Sequence, residues 1–341
     1  MLKVDKARIQ AIFAAQRPQD LYDHLQGAIE LEHATIPIYL TAFLSLKKGF
    51  MLETASILRS VFMEEMLHMS IVCNVLNAIK GSPVINKPGF IPTYPGPLPM
   101  NIGDLRVHLA PLSIDQVAEF MKIEEPEVPL KFPVKTALLI SPTPYATIGQ
   151  FYQALIEKLN EFGDGIFTGY AARQVVGDQW FPASELFAIT NAALATKALQ
   201  LIVEQGEGTR KSPLSAGELA HYYRFAEIFN KKKLVPDSSV PEGYSYSGAA
   251  IPFDGSGVWN MVTDSKASQY PIGSDARALV DQFNVAYTKL LNALQETFDG
   301  APQSLNPAIG LMHELNTLGG QVVETADPLT GKQAAPSFEF V

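Results

Sequence analysis

Glu65-Met66-Leu67-His68 stands in a stretch where Ile57, Val61, Val72, Val75 and Ile79 recur at helical steps, and its reading decides the fold. A carboxylate and an imidazole three residues apart project from one face of a helix. Here both continue the apolar row, so they face the core, while Glu64 is turned aside by about 100°. The other half of the chain holds a second such tetrapeptide, Glu218-Leu219-Ala220-His221. Two inward pairs of this kind predict a dinuclear metal site between the helices of a bundle. A third copy, Glu30-Leu31-Glu32-His33, is sorted by face. Steps of seven from Glu32 reach Leu25 and Tyr39, whereas the row through Glu30 holds Asp23, Gln26, Gly27 and Thr41. Glu32 is read as inward, and the Glu30–His33 copy as solvated.

Working outward, helix A spans about Asp20 to Lys47, with Pro37 inside it and Gly49 as its stop. Helix B runs from about Leu52 to Lys80 and ends at Gly81 and Pro83, antiparallel to A. Half of the 24 prolines then fall between Pro83 and Pro144, which rules out a long helix there and reads as a crossover. Within it, Ser113-Ile114-Asp115-Gln116 resembles a capping box opening a short helix to Lys122, and Leu105, Val107 and Leu109 alternate like a brief strand. Thr147 caps an accessory helix to Phe162. Neither the short helix nor the brief strand carries obvious chemistry. Helix C follows at about Ser184 to Gln205, and helix D at about Ser215 to Asn230. Two more helices are predicted at about Ser274–Phe298 and Pro307–Gly319, and the last dozen residues read as a tail. The organisation is mainly α: residues 1–235 form a four-helix bundle with a long B–C crossover (82–146) and the accessory helix (147–162). Residues 236–341 form a Gly/Pro-rich segment and C-terminal helices packed on that bundle.

Heights along the helices supply the remaining ligands. At about 1.5 Å per residue, Glu32 and Glu65 each lie roughly 20 Å from the A–B turn and face each other. Glu204, ending helix C, and Glu218 with His221, opening helix D, meet at that level only if the B–C link runs the length of the bundle. The predicted metal set is Glu32, Glu65, His68, Glu204, Glu218 and His221, with Glu207 as the alternative to Glu204 beside the Gly206 stop. Four carboxylates and two neutral imidazoles are balanced by two divalent ions, and burying them without metal would be prohibitive. Oxygen-rich ligation with one histidine per ion suits two non-haem iron ions, or manganese, better than copper or structural zinc. Tyr39 shares the Glu32 stripe and is either a packing residue or a catalytic tyrosine in redox or substrate contact. Met63, Met66 and Met69 read as packing on helix B.

Composition removes other classes. The single cysteine, Cys73, excludes a disulfide framework or cysteine-rich metal site. A net charge of −9 without a long basic run argues against nucleic acid or an anionic membrane as partner. Ile36 to Leu46 is too short an apolar run to span a bilayer, and the first residues lack a signal-peptide core, so a cytoplasmic location is expected.

Several blocks resemble the ferritin-like family of iminophenyl-pyruvate dimer synthases, related to the imine-coupling enzymes of violacein and rebeccamycin biosynthesis. They are Ala28-Ile29-Glu30-Leu31-Glu32-His33-Ala34-Thr35-Ile36-Pro37, Glu64-Glu65-Met66-Leu67-His68, Ile202-Val203-Glu204-Gln205-Gly206-Glu207-Gly208-Thr209 and His221-Tyr222-Tyr223-Arg224-Phe225. The resemblance implies a ferritin-like core, non-haem iron and, as one activity, oxidative work on an aromatic amino-acid-derived imine in secondary metabolism. The reading is an oxidase- or oxygenase-type enzyme whose partners are a small-molecule substrate and O₂ or peroxide, present as a monomer or small homo-oligomer. Its competitors are ferritin-like iron storage or detoxification, and a metal-free scaffold.

Overall fold

The computed structural model describes residues 4–101, 105–126, 130–132, 147–177, 180–209, 212–215 and 217–341. A short helix α1 (Lys6–Ala14) precedes the long antiparallel pair α2 (Tyr22–Leu44) and α3 (Leu52–Ala78), which correspond to helices A and B. Gly49 and Met51, both at positive φ, turn the chain between them. Helix α2 continues through Pro37, whose ring leaves the His33 carbonyl without its helical donor. Nearby, the Tyr94 hydroxyl donates to the Ala34 carbonyl.

The described part of the crossover packs onto this hairpin. Gly96–Pro97 pairs antiparallel with Arg106–Val107, the short strand foreseen from alternation. Helix α4 (Ile114–Ile123) opens on Ser113, whose hydroxyl accepts from the Gln116 N–H. Helix α5 (Ile148–Phe162) opens on a capping box of Thr147 and Gln150. Helix α6 (Ala192–Glu207) starts at the Asn191 cap and stops at Gly208, whose positive φ ends it. Helix α7 (His221–Asn230) is shorter than helix D was expected to be. Gly217, at positive φ, instead folds Leu214–Ser215 back on Glu218–Leu219 as a two-residue antiparallel pair. The second half is therefore not one hairpin, since α5 packs on α6 while α4 packs on α7.

Helices α8 (Asp275–Phe298) and α9 (Leu305–Glu324) pack on each other and cover the outer face of the α2–α3 hairpin. Gly319 marks the close approach of α9 to α2, where an added Cβ would lie 2.5 Å from Leu44 Cδ1. This layer overturns the reading of His33 as solvated: its side chain is buried under α8, 2.8 Å from the Tyr287 hydroxyl. Nor are the last residues a loose tail. Ala334, Ala335 and Phe338 are buried, and Ser337 and Glu339 hydrogen-bond to Asn284 of α8. Among the described residues, no helix is long and apolar enough to cross a membrane.

Candidate metal centre

Two groups of ligand-type side chains meet in the core, and they share one residue. Glu32 of α2 joins Glu65 and His68 of α3, and Glu65 also joins Glu124 and His221. Within each group the ligand atoms lie within 4.8 Å of one another. His68 Nδ1 lies 3.5 Å from Glu32 Oε2 and 3.8 Å from Glu65 Oε1. His221 Nδ1 lies 2.9 Å from the same Glu65 oxygen and 3.6 Å from Glu124 Oε2. The two imidazoles stack with centroids 5.5 Å apart.

Four of the six predicted ligands, Glu32, Glu65, His68 and His221, are thus brought together, and two are not. Glu204 is exposed on α6: it follows Ile202, on the buried side of that helix, by two residues, which turns it to the opposite face. Glu218 belongs to the short strand pair and is also exposed, its carboxylate 3.2 Å from Arg224. The carboxylate beside His221 is instead that of Glu124, which ends α4 as its C-cap. It continues the row of Val117 and Phe120 by steps of seven and four, so the same face test that selects Glu65 also selects Glu124. Glu207, the alternative to Glu204, reaches the wall of the adjoining cavity and accepts a hydrogen bond from the Gly149 N–H in the first turn of α5.

An outer layer of hydrogen bonds orients these ligands. The Tyr152 hydroxyl of the supposed accessory helix α5 donates to Glu32, and the Tyr39 hydroxyl donates to Glu124. Thr35 Oγ1 donates to Glu65 Oε2 at 2.9 Å. Each histidine turns Nδ1 toward the carboxylates and Nε2 outward, to Gln205 Oε1 at 2.9 Å for His68 and to Glu64 Oε2 at 3.1 Å for His221. With Nε2–H donating outward, Nδ1 keeps a lone pair for a cation, the arrangement by which acceptors around a metal site fix the histidine tautomer. A chain of charge extends behind His221, because Arg224 binds Glu64 at 2.6 Å and Glu218 beyond it.

Burial disfavours charge on every group here, yet carboxylates gather. It pushes the Glu65 carboxyl up, aided by the Glu124 carboxylate beside it, against the opposing pull of His221 and His68. Burial alone would lower His68 and His221, but the carboxylates around them outweigh it and raise both. Burial would also raise Glu64, and its contacts with His221 and Arg224 reverse that and hold it down at about 2. Tyr39 and Tyr152 are raised well above the ordinary phenol value by burial and by the carboxylates they serve, so both remain hydrogen-bond donors. The cluster attracts positive charge, and His221 Nδ1 is buried without an aligned hydrogen-bond partner. This donor set, with three carboxylates and two imidazole lone pairs divided around a shared Glu65, fits two divalent cations.

A cavity with about 420 Å³ of empty space, its mouth included, adjoins the cluster. Glu32, Thr35, Glu65, His68, Glu124, Tyr152 and Glu207 line its polar side, and Leu31, Ile123, Ile148, Ile202 and Val203 its apolar side. Tyr39 is not among the lining residues.

The family model described as ferritin-like matches residues 25–230. This chain belongs to the ferritin-like family. The ferritin-like chain is also similar to dichlorochromopyrrolate synthase of Lentzea aerocolonigenes, at 25% identity over 321 residues covering 83% of this chain and 29% of that protein. It thus spans less than a third of the length of that curated relative. Among solved structures, a ferritin-like protein from Caulobacter vibrioides aligns with a TM-score of 0.61 at 25% identity, covering 93% of this chain and 96% of that one.

Proposed function

We propose that this ferritin-like protein is a non-haem di-metal oxidoreductase, with iron preferred to manganese, that oxidises a small organic substrate using O₂ or peroxide. The observation that carries this reading is the pair of ligand groups sharing Glu65 at the polar wall of an apolar-lined cavity. When bound, two redox-active ions would accept electrons from the substrate and pass them to the oxidant. Glu32, Glu65 and His68 would hold one ion, and Glu65, Glu124 and His221 the other. Tyr152 and Tyr39 would keep the outer carboxylates oriented by hydrogen bonding, which makes Tyr39 a positioning residue rather than a substrate contact. Leu31, Ile123, Ile148, Ile202 and Val203 would exclude water and favour an apolar, aromatic-sized substrate. Similarity to dichlorochromopyrrolate synthase, together with the resemblance to imine-coupling enzymes, favours oxidative coupling of an aromatic amino-acid-derived imine.

Iron-loaded protein should consume O₂ faster when an aromatic imine generated from an amino acid is supplied, and Glu65→Ala should abolish that increment. In gel filtration the protein should run as a monomer or small oligomer. Oxidation of many irons per chain inside a large closed assembly, without response to any imine, would replace this reading with iron storage.

A further inference from the structure

Two helical glycines flank the cavity at the candidate metal centre, Gly149 in the first turn of α5 and Gly206 near the end of α6. Only one has a packing reason to be glycine. The Gly149 N–H donates to the Glu207 carboxylate, and a Cβ added at Gly149 would lie 2.7 Å from Glu207 Oε2. That close approach accounts for Gly149. Gly206 differs on each count. Its φ lies outside the left-handed region, and Gly208 already ends the helix. Among the described residues, a Cβ added at Gly206 would meet Glu124 Oε2 alone, at 3.4 Å, an ordinary contact. Alanine would therefore fit at this position and would be the better helix former.

What glycine gains there is space. Gly206 follows Ile202 by one helical turn on the same buried face, and both line the cavity. Among the described residues, Gly206 is the one lining position without a side chain. The gap it leaves borders Glu124, so it opens toward the proposed second ion. Glycine lets a ligand lie directly against the backbone. A planar ring can rest flat on that bare stretch of α6, with Leu31, Ile123 and Ile148 among its apolar surroundings.

We propose that Gly206 is the specificity-determining residue of this cavity: its missing side chain makes the place where a planar aromatic ring of the substrate lies beside Glu124. This inference rests on the reading of the cavity as a substrate chamber and names the residue that selects for the ring.

The iron-loaded full-length chain is probed with β-naphthol and with azide, an anion too small to need the gap. In equilibrium dialysis, Gly206→Ala should bind β-naphthol at least fivefold more weakly than the wild type, and Gly206→Leu should lose one naphthol site per chain. Azide, followed by its visible absorption on ferric iron, should bind all three proteins within twofold. Gly206→Ala should melt about 1 °C or more above the wild type, as expected where alanine fits a helical glycine. In crystals soaked with a bromo derivative of β-naphthol, anomalous scattering should place the bromine in this cavity, near Gly206 and Glu124. A lower melting temperature in Gly206→Ala would show that packing demands the glycine, and would overturn the proposal. Unchanged naphthol binding in both variants, equal loss of azide and naphthol, or a bromine position outside this cavity would also overturn it. Dialysis, melting and the bromine position need no turnover, so if they hold while no imine raises O₂ consumption, the oxidase reading fails alone. If imine-dependent O₂ consumption stands and Gly206→Leu keeps its naphthol, the inference about Gly206 fails alone.

Discussion

The α2–α3 hairpin and the opposite wall of the candidate metal centre supply comparable ligand-type side chains by different constructions. In the hairpin, Glu32, Glu65 and His68 sit in the middle of long helices whose apolar rows declare their direction. On the opposite wall the contributing residues lie at or near helix ends: Glu124 caps the C-terminus of α4, His221 opens α7, Tyr152 lies near the start of α5 and Glu207 closes α6. A buried carboxylate at a helix C-terminus is opposed both by desolvation and by the helix dipole. Glu124, partly buried there with the Tyr39 hydroxyl donating to it, would have both costs offset by a cation shared with His221, as proposed above. Long apolar rows declare candidate ligands in mid-helix outright, whereas in short convergent helices each helix must be given a face of its own before its inward residue shows.

The largest expected effect tests what the two walls share. Because Glu65 belongs to both groups, Glu65→Ala should reduce binding from two ions per chain to fewer than one by elemental analysis after iron loading, while Glu204→Ala and Glu218→Ala retain both. Loss of an ion from Glu204→Ala would restore the hairpin-like plan for the second half. Next in size, Glu124→Ala should leave one ion of two, and spectroscopy of that variant should report a mononuclear rather than a coupled centre. An intact dinuclear signal would remove Glu124 from the site.

Smaller effects compare the outer acceptors. Glu64→Gln should weaken the ion held by His221 about 10- to 100-fold in competition with a chelator, and Gln205→Ala should do the same for the ion held by His68, the usual range for partners that orient a ligand. If either change weakened both ions equally, the separate tethering of the two histidines would be wrong.

The smallest effect concerns the hairpin's other face. His33 titrates near 6.5 when unfolded and at about 3 when folded, so between those values the unfolded chain binds the extra proton. Its contribution to stability is thus complete above pH 6.5 and declines as pH falls toward 3, by about 1.4 kcal/mol per pH unit. Urea unfolding of the wild type and His33→Phe, both in chelator, should diverge in slope by that amount over pH 6 to 4. Parallel curves would show that His33 is not buried as a neutral group.

Legibility in the sequence follows the same division. The long crossover, both long helices and two C-terminal helices are readable from periodicity, capping residues and prolines. The inward choice of Glu32 over Glu30 follows from the face test, and the structure brings Glu32, Glu65 and His68 together. At Glu218 and His33 the structure departs from the pattern because an adjacent residue or layer decides the outcome. Glu218 looked helical because Glu-x-x-His repeats the α3 pattern, but Gly217 at positive φ favours a tight turn and delays the helix to His221. His33 looked solvated because the row through Glu30 is polar, yet α8 supplies Tyr287 to cover it. Glu124 and Tyr152 are legible in principle, since each continues an apolar row of its own helix, but nothing in the sequence assigns the crossover helix or the accessory helix a place beside the paired carboxylates.

Anomalous scattering from crystals of iron-loaded protein would show directly whether two ions share Glu65. Two peaks are expected, one bounded by Glu32, Glu65 and His68 and the other by Glu65, Glu124 and His221. A single peak, or a second ion held by Glu204 or Glu218, would contradict it.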